Sequence, residues 1–255
     1  MPKAKTQVVM PAQAGIPAYR RGRQKQTNVI IDVVNNTSQA VQGVVIAPND
    51  VAQYIFLLTD EAGDFTDERT ITIGEGARVD IWLCYFGKGN VTVKLIYEIQ
   101  KNARVNHKLL FFGNGRRRLF FDEKYKFTST GAYGRFSVQG LVTDEAVSNA
   151  VGNIMIEPGA QKTDSRLEMS GYILSEHAQA TMVPSLQVQA NDVKAGHAGK
   201  VSQLNDEQLF YLQSRGLTKQ QARQLFVEGL FLGFVEGMES GAARERVLGM
   251  AKEGL

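Results

Sequence analysis

The sequence predicts a mainly β protein, a β-solenoid core followed by a small C-terminal α-helical segment. Three observations carry this. More than ten short apolar runs succeed one another after Val29 with no helical stripe between residues 29 and 195. Gly, Asn or Asp punctuates most of the gaps, as turns between short strands require. From Asn205 the period changes to helical and the chain carries helix start and stop signals.

The runs come in order. Val29–Val34, Val44–Ala47, Tyr54–Leu58 and Thr70–Ile73 are followed by Val79–Phe86, Val91–Ile99, Lys108–Phe112 and Arg118–Phe121. Then come Arg135–Val142, Asn153–Ile156, Leu167–Ser170, Ala180–Val183 and Leu186–Gln189. Sandwich, barrel and solenoid all accommodate such a series. From Phe127 onward strand starts recur about every ten residues, as half-coils do, and polar Ser137, Gln139, Glu168 and Gln187 alternate with apolar neighbours, which favours a solenoid there. The runs over 79–112 are longer and alternate cleanly, so a conventional sheet fits that stretch. No asparagine ladder or hexapeptide signature is visible.

In the tail, Asn205 reads as an N-cap with Gln208 reaching back, Leu209, Phe210 and Leu212 as an apolar face, and Gly216 as a left-handed stop after Arg215. A second helix starts at Thr218 with Gln221 as capping-box partner and Leu217 and Ala222 as staple. Its expected buried stripe is Ala222, Leu225, Phe226, Gly229, Leu230, Gly233 and Gly237. Three glycines on that stripe cost roughly 1 kcal/mol each relative to alanine, which implies a close neighbour on that face. Ser240 or Gly241 opens a last helix that ends near Lys252.

Composition bounds the rest. A length of 255 residues allows one elongated domain or two compact ones, and 43% hydrophobic residues suffice for a core. Glycine is plentiful at 25 and proline scarce at 6, which suits tight turns between strands. The net charge of +3 is uneven: Lys3, Lys5, Arg20, Arg21, Arg23 and Lys25 crowd an amino-terminal stretch without acids. The sequence therefore divides into a disordered basic leader at 1–27, a solenoid core at 28–200 and a helical segment at 201–255. One cysteine, Cys84, excludes internal disulfides and thiolate-rich zinc sites and fits a reducing cytoplasm. No window is apolar enough for a membrane span, and Val8–Ala14 is too short and proline-broken for a secretory segment.

Few residues offer chemistry. No P-loop, dinucleotide fingerprint, metalloprotease helix or nucleophile triad is present. His107 reads as a solvated strand residue and His177 as a turn residue. His197, between Gly196 and Gly199 in an exit turn, reads equally as a group that satisfies the backbone or as a ligand. Gly113-Asn-Gly115 before Arg116-Arg-Arg118 reads as a hairpin turn with solvated arginines. Asp67-Glu68 and Asp122-Glu123 sit on strands, where neighbours point to opposite faces, so neither pair serves acid–base catalysis. Cys84 follows Trp82 and Leu83 and reads as a buried, inert thiol. The leader carries only Tyr19 among its cations and reads as a solvated tail rather than a nucleic-acid site.

The residues His197-Ala-Gly-Lys-Val-Ser-Gln-Leu-Asn-Asp-Glu-Gln-Leu-Phe-Tyr-Leu-Gln-Ser-Arg-Gly-Leu217 and Ala222-Arg-Gln-Leu-Phe-Val-Glu-Gly-Leu-Phe231 resemble the carboxy-terminal signature of the SufB/SufD proteins, scaffold components of iron–sulfur cluster assembly. Lys162-Thr-Asp-Ser-Arg166 and Met182-Val-Pro-Ser-Leu-Gln-Val-Gln-Ala-Asn-Asp-Val-Lys194 match the last coils of the same family, so the resemblance is specific over about residues 158–235. It implies a right-handed parallel β-helix followed by helices. It also implies a cytoplasmic, non-enzymatic subunit that pairs with a SufB-type partner or with itself through the β-helix, and that docks a SufC-type ABC ATPase through the tail. Leu209, Phe210, Tyr211, Arg215, Gly216, Leu225 and Phe226 fall on the docking segment, and His197 falls on the interface histidine, where it becomes a candidate metal or cluster ligand. The implied cluster is transient in the complex, with none held stably by this chain alone; a role for flavin is left open.

The sequence departs from the pattern in two ways. A cysteine that SufB proteins carry before the histidine falls on Val188 here, and the cysteine SufD proteins often carry just before it is Ala195. Valine cannot ligate iron and one thiol cannot hold a cluster alone, so the chain is more SufD-like than SufB-like. It also lacks the longer amino-terminal helical region usual in the family. Two other classes compete: a structural solenoid that forms homo-oligomers through exposed edges, and a polysaccharide-active β-helix enzyme, for which convergent carboxylates are missing.

Overall fold

Residues one coil apart meet strand to strand. In a computed structural model of the protein, which describes residues 8–10, 28–34, 43–58, 63–203, 210 and 213–253, the described residues form fourteen strands and then two helices. The strands are β1 (Val8–Met10), β2 (Asn28–Val34), β3 (Val44–Ile46), β4 (Val51–Leu58), β5 (Phe65–Ile73), β6 (Arg78–Tyr85) and β7 (Val91–Ile99). They continue as β8 (Arg104–Gly113), β9 (Arg118–Phe127), β10 (Tyr133–Val142), β11 (Val147–Ile156), β12 (Asp164–Ile173), β13 (Gln179–Val188) and β14 (Lys194–Gln203). Helices α1 (Lys219–Val235) and α2 (Gly241–Glu253) follow.

The chain alternates between two sheets, one ordered β1-β2-β4-β6-β8-β10-β12-β14 and the other β13-β11-β9-β7-β5-β3. Every pairing is parallel except β1 with β2. The result is a β-solenoid of about five turns. It includes the stretch over 79–112 for which a conventional sheet also fitted the pattern. Equivalent positions lie 26 residues apart at Asp80 and Asn106, and 29 and 31 apart further along at Gly115–Asp144 and Thr130–Gln161. Those intervals exceed twice the ten-residue spacing expected for half-coils, because each half-coil holds a strand of up to ten residues plus its turn.

Three local expectations change. Gly113–Gly115 is not a hairpin turn: it carries the chain from β8 in one sheet to β9 in the other. Ala180–Val183 and Leu186–Val188 are parts of one strand, β13, which runs through Pro184. Strand β1 falls inside the leader expected to be disordered; the rest of residues 1–27 lies outside the described residues.

One corner of the coil stacks residues in the left-handed region: Asn49 (φ 61), Gly76 (φ 69), Asn102 (φ 56), Gly131 (φ 76) and Lys162 (φ 58). Each of the first four donates its backbone N–H to the turn of the next coil. The column alternates Asn with Gly for a steric reason, because a Cβ at Gly76 or Gly131 would meet the Asn49 or Asn102 side-chain oxygen at 2.5 or 2.3 Å. This is the ladder for which the sequence offered no contiguous signature.

Two layers pack against the eight-stranded sheet. Inside, residues such as Phe56, Leu83, Phe111, Phe121 and Val138 fill the core. The Phe111 and Phe121 rings stack at 4.2 Å and Tyr125 with Phe136 at 3.8 Å. Outside, Ile55, Leu57, Trp82, Cys84, Leu110 and Phe112 are covered by Val227, Phe231 and Phe234 of α1 and Val247 of α2. Cys84 is buried there as expected, and burial pushes its thiol well above the usual range. Among the described residues, no helix is long and apolar enough to cross a membrane.

The interior is not wholly apolar. Asp67 and Arg69 point inward and pair with each other; Tyr85 donates to Asp67 at 2.8 Å and Arg69 donates to Tyr54 at 2.6 Å. One coil beyond Leu95 in the same column sits Glu123. Its carboxylate lies 3.0 Å from His107 Nε2 and accepts hydrogen bonds from Tyr97 (3.0 Å) and Tyr125 (2.7 Å). His107 is therefore buried at 1% exposure and not a solvated strand residue. Period-two alternation through Val105, His107 and Leu109 points it inward, and Glu123 gives it a partner there. The adjacent carboxylates split as expected: Asp67 and Glu123 are buried, whereas Glu68 and Asp122 face outward.

Burial alone would raise the Glu123 carboxyl, but His107 and the two tyrosine hydroxyls outweigh it and leave it below its usual value. A depressed folded-state pKa adds stability that is present above the ordinary carboxylate range, about pH 4.3, and is lost as pH falls through the lower folded value. Glu123→Gln should cost about 3–5 kcal/mol near neutral pH, because it strands His107. Urea midpoints followed from pH 7 to pH 3 should therefore fall less steeply in the variant than in the native chain.

Candidate functional site

The coil stack ends at β13 and β14, which close the orders of their two sheets. β14 pairs with β12 from Asp164↔Lys194 to Ile173↔Gln203, and among the described residues its other edge meets no strand. β13 likewise pairs with β11 on one side only. A long parallel edge left open is a template for another chain.

His197 sits in the middle of this edge strand and not in an exit turn. Lys194–Gln203 lacks strong strand formers before Val201, so register with β12 rather than propensity makes it a strand. The pairing Leu167↔His197 aligns His197 with an inward column that runs through Tyr54, Ile81, His107, Phe136 and Leu167. Among the described residues no further coil covers it, so the imidazole belongs to an inward position and is exposed. Beside it, Gly199 lets Pro184 of β13 approach; a Cβ there would lie 3.0 Å from the proline ring. Val188 and Val201, both about two-fifths exposed at 43% and 44%, leave apolar surface around the same opening. Ala195, half-buried, and Val188 occupy the two cysteine positions named above, so neither adds a soft ligand. Among the described residues, no group of three or more His, Cys, Asp or Glu side chains gathers within metal-binding reach. His197 is the one imidazole on this edge strand.

The tail forms a second open surface. The Thr218–Gln221 capping box is present, with Gln221 N 3.2 Å from Thr218 Oγ1 and Thr218 N 2.8 Å from Gln221 Oε1. Gly216 adopts φ 91, as a helix stop requires. The buried face of α1 differs from the expected stripe. Ala222, Val227, Phe231, Phe234 and Val235 are buried, while Leu225 is 50% exposed. Gly229 and Gly233 face open space, and a Cβ at either would meet nothing within 4 Å. The helix is rotated relative to the expectation because three aromatic and β-branched residues, 227, 231 and 234, have more area to bury than the glycines.

Of the expected docking residues, Phe210 (67% exposed), Arg215, Gly216 and Leu225 lie on the surface, and Phe226 is half-buried against Tyr172 with rings 5.4 Å apart. Leu209 and Tyr211 lie outside the described residues. Leu232, 58% exposed, was not anticipated; it shares the outward face with Leu225, at seven residues' spacing. Leu225 also lines a shallow depression of about 380 Å³ with Leu217, Gln221 and Glu228. A second cleft of about 480 Å³ lies between the sheet and the α1–α2 turn. Its two arginines are paired, Arg135 with Asp164 at 2.8 Å and Arg166 with Glu168 at 2.6 Å.

Among the described residues, fold and geometry thus define a solenoid with an uncovered last coil and a helical tail whose outer face exposes Leu225 and Leu232. The sequence model described as "SUF system FeS cluster assembly, SufBD core domain" matches residues 22–230. The chain belongs to the SufBD family. Among curated relatives, it is 37% identical over 99 residues to an iron–sulfur cluster assembly SufBD family protein of Mycobacterium leprae, covering 38% of this chain and 25% of that one. It is 30% identical over 108 residues to the iron–sulfur cluster assembly protein SufD of Escherichia coli (42% and 26%). To SufD of Bacillus subtilis it is 29% identical over 141 residues (55% and 32%). The matched regions span a quarter to a third of these relatives' lengths.

The two faces of α1 should respond differently to substitution. Phe231→Ala should destabilise the tail by about 3–5 kcal/mol. The double change Leu225→Ser and Leu232→Ser should stay within about 1 kcal/mol of the native chain. Chemical denaturation monitored by Trp82 fluorescence, beneath α1, checks both.

Proposed function

We propose that this chain is a SufD-like, non-enzymatic scaffold subunit of an iron–sulfur cluster assembly complex. It pairs through the open end of its solenoid with a SufB-type subunit, or with a second copy of itself. Its tail docks a SufC-type ABC ATPase. The iron–sulfur cluster is cargo of the complex: His197 offers one nitrogen ligand at the seam and the facing chain supplies the rest.

The observation that carries this reading is the uncovered last coil. β14 offers a ten-residue edge, and the inward-register imidazole of His197 is exposed on it. In a closed, capped solenoid that position would be filled like Phe136 or Leu167. Family membership supports the assembly role, and the exposed Phe210, Leu225 and Leu232 support a docking site, because apolar side chains left open on a surface gain by being covered. The open edge equally suits the homo-oligomer, and the mass of the purified chain alone separates the two partners.

Co-expression with a SufC-type ATPase and a SufB-type subunit is expected to recover all three together. Leu225→Asp or Phe210→Asp should weaken ATPase recovery by about 2 kcal/mol or more, read as a dissociation constant, with SufB-type pairing intact. Unchanged ATPase affinity in both variants would remove the docking assignment. His197→Ala should leave recovery of the subunits unchanged and lower the iron and sulfide retained after reconstitution. Full retention would remove the ligand role.

A further inference from the structure

Helix α1 bridges several coils of the eight-stranded sheet. Midway along it, Phe226 meets Tyr172 of β12; just past its end, the Gly237 carbonyl accepts from Gln53 of β4 at 3.1 Å. The two ends are held differently. The first turn caps itself through Thr218 and Gln221, and Gln224 donates to the Ala251 carbonyl of α2 at 3.2 Å. The last turn contains no basic residue of its own. It breaks at Glu236, which is extended, and Gly237, which has φ 84. A helix end of that kind leaves carbonyls and a partial negative charge to be met from elsewhere.

The solenoid meets them. Lys108 Nζ donates toward three carbonyls, those of Gly233 (2.9 Å), Glu236 (3.1 Å) and Phe234 (3.4 Å). Trp82 Nε1 donates to the Phe234 carbonyl at 2.9 Å. Gln53 also accepts from the Glu239 N–H at 2.9 Å. Trp82 and Lys108 are direct cross-strand partners on β6 and β8, and Gln53 lies on the neighbouring β4. Three successive coils thus aim one polar side chain each at one helix end. Burial pulls the Lys108 ammonium below its usual range, against the pull of Glu236 and Asp80.

We infer that Lys108 caps α1 from outside the helix and, with Trp82 and Gln53, forms the fixed point that holds the helical tail on the solenoid. The first half of α1, which carries exposed Leu225, meets β12 through the Phe226–Tyr172 ring contact and α2 through Gln224, so a pull on that half levers the helix about Lys108. The latch itself follows from the contacts above; that it passes load from a docked ATPase to β4, β6 and β8 rests on the function proposed above.

Hydrogen–deuterium exchange on the full chain, with no partner present, tests the latch separately from docking. In the native chain, amides near Val235 should be more protected than those near Ala222. Lys108→Met should speed exchange across the second half of α1 by about tenfold or more, with β10 and β12 unchanged. Lys108→Arg, which keeps the charge, should keep most of the protection, and Trp82→Phe should show a smaller increase in the same segment. Native-like exchange in Lys108→Met would overturn the inference. So would equal loss in the Met and Arg variants, or a matching loss of protection in β10 and β12.

Discussion

A parallel ladder closed upon itself is the constraint on which everything else here depends. Each interior strand takes half of its ladder hydrogen bonds from the coil before it and half from the coil after. Register is therefore inherited from coil to coil. The inward column from Tyr54 to His197 and the turn column from Asn49 to Lys162 are two readings of that one register. A ladder of this kind cannot terminate without leaving an edge. At β14 the edge carries an inward-position side chain out into the open, and the same rule that buries Leu167 exposes His197.

The two faces of the eight-stranded sheet divide the remaining work. Inside, the Glu123–His107–Tyr97–Tyr125 and Asp67–Arg69–Tyr54–Tyr85 groups place charge where only one register satisfies it. A slip of one residue would turn all of these side chains outward, so polar burial adds specificity to a core that apolar packing already stabilises. Outside, the apolar patch around Trp82 and Phe86 needs a cover, and α1 and α2 provide it; Phe231 meets Phe86 at 5.1 Å, edge to face. The cover leaves Leu225 and Leu232 turned away from the sheet. The tail is thus part of the fold on one side and leaves apolar side chains exposed on the other.

Much of this was legible in the sequence, and the exceptions share a cause. The strand series, the Thr218–Gln221 cap, the burial of Cys84 and the family all follow from local signals. What local signals missed was set by the neighbouring coil. β14, rich in Gly, Ala and Lys, is a strand because β12 is beside it. His107 is buried because Glu123 waits across the interior, although the alternation Val105, His107, Leu109 already pointed it inward. The run Ile81-Trp-Leu-Cys-Tyr-Phe86, read above as alternating, is apolar without interruption, and that is the signal of burial on both faces that the sequence reading did not use. Glycines 229 and 233 implied a close neighbour where the structure has open space, because a small residue marks room as readily as contact.

The central claim is that the uncovered β14 edge is a pairing surface. Amide exchange over residues 194–203, measured on the chain alone and again after a SufB-type subunit is added, tests it most directly. Amides of this strand should become strongly protected in the mixture while those of β6 and β8, already interior to the ladder, do not change. Co-elution of the two chains with β14 exchange left as it was would place the contact elsewhere and contradict the account.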